Sequence, residues 1–176
     1  MHYKEELTGL LKESLKEAVP ALVNEYGNEN ITVISIDADN TTGFGDDYSI
    51  TLFVNTQENQ DRRVKEDEDN PDPWYYRFCE YEMYIIPDPD NFDNVLSFLN
   101  ESYASNIDME ETYECIVDAV EQLRAEKFFD SVFPHDILIA INGSEVFGAD
   151  ELTKLIVRMN GEELSRDYVE NADSFI

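Results

Sequence analysis

Two histidines and forty carboxylates hold most of the acid–base chemistry this chain could perform. His135 stands beside Asp136 in FPHD, and a carboxylate next to an imidazole can orient a general base. No nucleophile motif accompanies the pair, so His135 reads as a structural residue at a strand end, and His2 lies at the amino-terminal end. Two aspartate groups suggest an oxygen-ligated cation: Asp37, Asp39 and Asp46, and Asp88, Asp90 and Asp93. A calcium loop of the EF-hand type needs glycine at its sixth place and glutamate at its twelfth. The first group has Thr42 and Tyr48 there, and the second has no closing glutamate. The glycines of Gly43–Gly45 are followed by Asp46 and Asp47, which repel phosphate. Cys79 and Cys115 fit neither a zinc pattern nor a CxxC and read as reduced core thiols. The expectation is a non-enzyme with no catalytic residue, no cofactor and no metal.

Those carboxylates do have a collective consequence. Forty acidic against twelve basic side chains give a formal charge of −28. Such a surface repels nucleic acid and anionic membranes and attracts basic proteins. The one basic group, Arg62, Arg63 and Lys65, is small and runs into Glu66–Asp69, so no nucleic-acid surface is expected. The acidic clusters that could meet a basic protein partner are Glu66, Asp67, Glu68 and Asp69, and Glu110, Glu111 and Glu114. The plainer reading of both is a solvated face. High charge also marks disorder, but 42% hydrophobic residues, with ten Phe and ten Tyr, supply a core that disordered acidic chains lack. No signal peptide and no apolar run of membrane-spanning length is visible, which implies a cytoplasmic protein.

The elements that must position these residues come in separate groups. Leu7, Leu10, Leu11, Leu15, Ala18, Val19, Leu22 and Tyr26 predict a helix over Glu5–Tyr26, kinked or split at Pro20 and stopped at Gly27. Ile31–Asp37 and Tyr48–Asn55 predict a strand hairpin around a turn cluster at 37–47. Residues 56–73 are nearly free of apolar side chains and read as a long polar loop. Trp74–Ile86 reads as a strand, or as a short helix and then a strand, ended by Pro87 and Pro89. Helices are predicted over Asp93–Ser105 (Val95, Leu96, Leu99, Tyr103), over Met109–Lys127 with Asp108 as cap, and over Ala149–Met159; Asp136–Asn142 reads as a buried strand. From about residue 161 the chain reads as an acidic tail. The fold class expected is α+β, a mostly antiparallel sheet packed by several helices, in a single domain over 1–176.

Within Trp74–Ile86, Arg77, Glu80 and Glu82 are interleaved with aromatics. A half-buried arginine is normally paired, so Arg77 is expected to meet a carboxylate. Together with two other segments this one carries a resemblance. VNTQE at Val54–Glu58, YRFCEYEM at Tyr76–Met83 and LRAEKFFD at Leu123–Asp130 resemble an NT-E motif, an Arg…Glu segment and an acidic-basic-Phe-Phe element of a bacterial family, domain of unknown function 4303. Arg77 and Glu82 match its charged positions, while Phe78 and Met83 stand where it has tryptophans. The family has no established activity; the resemblance implies an association with toxin–immunity loci. With the charge, this gives the functional expectation: an acidic binding protein, an immunity-type inhibitor of a basic toxin or nuclease. The alternatives are a DNA mimic directed at a defence enzyme, and a domain whose acidity serves solubility.

Overall fold

The computed structural model describes residues 2–40, 48–67, 69, 71–102, 108–143 and 146–175. Helix α1 (His2–Tyr26) runs unsplit through Pro20, and its expected stripe is the one that packs inward, with Leu7, Leu11, Leu15, Ala18, Val19 and Leu22 all buried. At Gly27 an added Cβ would stand 2.4 Å from the Val23 carbonyl oxygen, so only glycine lets the chain turn away so tightly. Strands β1 (Ile31–Asp39) and β2 (Ser49–Thr56) form the antiparallel pair, registered Ile36 to Leu52 and Ile34 to Val54. The turn cluster between them falls, from Thr41 to Asp47, outside the described residues, as do Tyr103 and Glu68.

The first part of the predicted polar loop is not a loop. Gln57–Glu66 is a helix, α2, capped by the Thr56 hydroxyl on the Asn59 N–H at 3.1 Å. It lacks apolar periodicity because the side chains it buries are the amides Asn59 and Gln60. Between the alternatives for Trp74–Ile86 the second holds: α3 (Pro73–Phe78), a 3-10 turn at Glu80–Glu82, then β3 (Tyr84–Pro87) antiparallel to β2. Helices α4 (Asp93–Ser102), α5 (Met109–Ala125), capped by Asp108 on the Glu111 N–H, and α6 (Phe128–Val132) follow. Strand β4 (Leu138–Ile141) is shorter than expected and joins β1 in parallel, so the sheet, ordered β3-β2-β1-β4, is mixed with two antiparallel pairings and one parallel. Helix α7 (Ala149–Asn160) leads into α8 (Glu162–Glu170), so the expected tail is a helix; it buries Ser165 and Tyr168. The fold class is α+β.

A four-residue strand at a sheet edge leaves backbone groups open. Asn160, the last residue of α7, closes that edge: its Nδ2 donates to the Ile139 carbonyl at 2.7 Å and its Oδ1 accepts the Ile139 N–H at 2.9 Å. Arg124 of α5 joins them, donating to the Ile137 carbonyl and to Asn160 Oδ1 and lying over the Phe129 ring. Helix α7 thus touches α5, β4 and α8, and α8 reaches α3. The helices wind around the β4 edge and converge where β1 and β4 leave the sheet.

Candidate functional site

That convergence encloses a cavity of about 590 Å³ at the carboxyl ends of the parallel pair β1 and β4. Ligands in open α/β sheets sit at the corresponding edge, where chains diverge from parallel strands. Among the described residues its acids are Asp37 and Asp39 from β1 and Glu80 from the 3-10 turn. Among the described residues no Lys, Arg or His lines it.

Glu80 is the central group. Its Oε1 accepts the Ser35 hydroxyl of β1 at 2.5 Å, a contact between residues 45 apart in sequence, and Oε2 has no hydrogen bond. Burial raises its carboxyl to about 7, with the Asp37 charge adding to the effect and the Ser35 bond opposing it. Tyr113 of α5 forms the second corner. Its hydroxyl lies 2.9 Å from Asp37 Oδ1 and 3.0 Å from the Ala38 carbonyl, contacts the Asn142 carbonyl, and accepts the Ala38 N–H. One phenolic proton therefore faces three acceptors, and the corner is rich in acceptor oxygens. Tyr168 of α8 is the third group. It is 5% exposed, its ring packs edge-on against Phe78 and Phe175, and its hydroxyl has no hydrogen-bond partner among the described residues. Burial, with the Asp37 charge at Tyr113 and the Glu80 charge at Tyr168, holds both phenols protonated well above the ordinary tyrosine range. Tyr81, next in chain to Glu80, is 84% exposed beside the cavity.

Two of the three resembling segments, Val54–Glu58 and Tyr76–Met83, belong to the framework that fixes Glu80. Asn55 at the end of β2 donates to the carbonyls of Tyr76 and Arg77 at 2.7 and 2.9 Å. Asn59 donates to Asn55 Oδ1 and to the Glu82 carbonyl, so two amides grip both sides of the turn that carries Glu80. Glu58 accepts the Asn30 N–H at 2.8 Å, joining α2 to the start of β1. Arg77 meets Asp167 of α8 at 3.1 Å, as expected of it, and lies over the Trp74 and Phe78 rings; Glu82 pairs with Arg63 of α2.

The acidic clusters singled out in the sequence lie elsewhere. Glu66 pairs with Arg62, and Asp67 caps α2 while accepting the Tyr76 hydroxyl at 3.0 Å. Asp69 is exposed. Glu111 pairs with Lys4, Glu110 is exposed, and Glu114 joins Asp118 and Glu121 around Arg158 of α7. His135 donates to or accepts at no carboxylate in the cavity; its Nε2 meets the Ile31 carbonyl at 2.7 Å. Cys79 and Cys115 are free and buried. Among the described residues no group of three His, Cys, Asp or Glu is placed to hold a metal ion, and no helix is long and apolar enough to cross a membrane.

The model of the family described as a domain of unknown function, DUF4303, matches residues 11–161, and the chain belongs to that family. The matched span contains every framework contact above except those made by α8, and it ends before Tyr168. No curated protein and no solved structure matches the chain.

Proposed function

We propose that this chain is an acidic binding protein that engages a positively charged protein partner, as an immunity-type inhibitor of a basic toxin or nuclease would. The observation that carries this reading is where the few positive charges go. Seven of the twelve basic residues (Lys4, Lys12, Lys16, Arg62, Arg63, Arg77 and Arg158) are engaged by the protein's own carboxylates, against a formal charge of −28. The outward field is therefore negative, and such a field steers a cationic partner and speeds its association. A DNA mimic needs free carboxylates in a regular row. The row on α5, Glu114, Asp118 and Glu121, closes on Arg158 instead, so the proposal stays with a protein partner.

Capture on the full-length chain from its own host, at low and at moderate salt, tests the proposal. Recovery at both salts of one basic protein, whose activity the chain suppresses, is the expected result. Many unrelated proteins, all lost at moderate salt, would contradict it and favour acidity for solubility. A second reading draws on Glu80 alone: a carboxyl near neutrality beside an unpartnered phenol can act as a general acid or base. Turnover of a small molecule, lost in Glu80→Gln, is what that reading requires.

A further inference from the structure

The acids of the cavity do not by themselves make a site; the residue that points to a ligand is Tyr168. Its ring is packed away, and the little surface the residue keeps is at the hydroxyl, on the side of the cavity. That hydroxyl has no hydrogen-bond partner among the described residues, so it stands open to a guest in a space of about 590 Å³. Opposite chemistry is available in the same space, since Glu80 keeps Oε2 without a hydrogen bond and Asp37 and Asp39 add negative charge. A guest that carries positive charge and donates several hydrogen bonds from a planar fork meets these demands.

We propose that this cavity binds a guanidinium group, with Glu80 Oε2 and the Tyr168 hydroxyl accepting its N–H groups. The inference rests on the basic-partner reading, to which it adds the place where the partner's charge is held. The exposed Tyr81 at the cavity fits a protein surface bearing that group, because exposed tyrosines anchor interfaces. The groups facing Glu80 set the pH response: Ser35, Asp37 and Asp39 of β1, Cys79 beside it, Tyr113 of α5 and Tyr168 of α8. The phenols stay protonated through neutrality, whereas Glu80 titrates there.

Titration calorimetry on the full chain with arginine amide, and with a short end-capped peptide whose one charged side chain is an arginine, tests the site. Affinity rises about tenfold between about pH 6 and about pH 8, the span over which a carboxyl at about 7 ionises. Glu80→Gln loses at least about tenfold and the pH dependence with it. Tyr168→Phe, which keeps the ring, loses several-fold, and Glu17→Gln on the exposed face of α1 loses nothing. Peptide binding much tighter than the amide assigns the cation to a partner's side chain; equal binding assigns it to a free small molecule. Glu80→Gln binding as the wild type does, or Glu17→Gln weakening as much as Glu80→Gln, overturns the site. A basic protein captured equally by wild type and Glu80→Gln also overturns it and leaves the basic-partner reading standing. Arginine amide bound with no basic protein captured upholds the site and removes that reading.

Discussion

Glu80 costs the fold stability, and the cost has a definite pH range. Its carboxyl is raised from the ordinary glutamate value to about 7 by burial. Below the ordinary value both folded and unfolded chains hold the proton and nothing is lost. As pH rises toward 7 the unfolded chain releases its proton while the folded chain keeps it, so stability falls through that window and levels off above it. The shift corresponds to about 3 kcal/mol as an order of magnitude. Urea denaturation should therefore find Glu80→Gln more stable than wild type by about 2–3 kcal/mol near pH 8, with the advantage nearly gone near about pH 4; an equal difference at both pH values would contradict this. A residue kept at such a cost is better explained by ligand binding than by packing. In the sequence Glu80 stood out only as one of three charges among aromatics. Its burial comes from Ser35, 45 residues away, and from α8, and neither contact leaves a periodic trace. The exposed clusters at Glu66–Asp69 and Glu110–Glu114 were legible as charge, but their ion pairs to Arg62, Lys4 and Arg158 depend on which helices meet.

Elements read well wherever their buried face is apolar. The α1 stripe, the β1–β2 hairpin and the Asp108 cap of α5 all follow from periodicity and capping chemistry. Helix α2 escaped because its inner face is polar: Asn59 and Gln60 satisfy backbone groups of α3 and the turn instead of filling a core. Those amides are what present Glu80. Asn55→Ala should strip the carbonyls of Tyr76 and Arg77 of their donors, lowering stability by about 2–3 kcal/mol. It should weaken arginine-amide binding as well; unchanged binding would show that the turn holds Glu80 without Asn55. The α5–α7 contact is of another kind. Arg158 sits among Glu114, Asp118 and Glu121 on a partly exposed surface. Arg158→Ala should cost about 1 kcal/mol at low ionic strength, a difference that shrinks as salt is added.

Across the whole molecule, repulsion among 28 excess negative charges opposes the compact state. Raising ionic strength from about 0.01 to about 1 M shortens the screening length from roughly 30 to roughly 3 Å, so the melting temperature should rise steadily with sodium chloride. A melting temperature that falls would mean the ion pairs outweigh the repulsion. The same field makes the cavity attractive to cations from a distance, while Glu80 and Tyr168 give the contact its specificity. The most direct measurement is the titration of the Glu80 side-chain carboxyl by carbon-13 NMR, with and without saturating arginine amide. A bound cation favours the ionised form, so the carboxyl should titrate near 7 alone and move down toward the ordinary glutamate range when arginine amide is present. An unchanged titration, or one already ordinary in the free protein, would contradict an acidic cavity built to hold a positive charge.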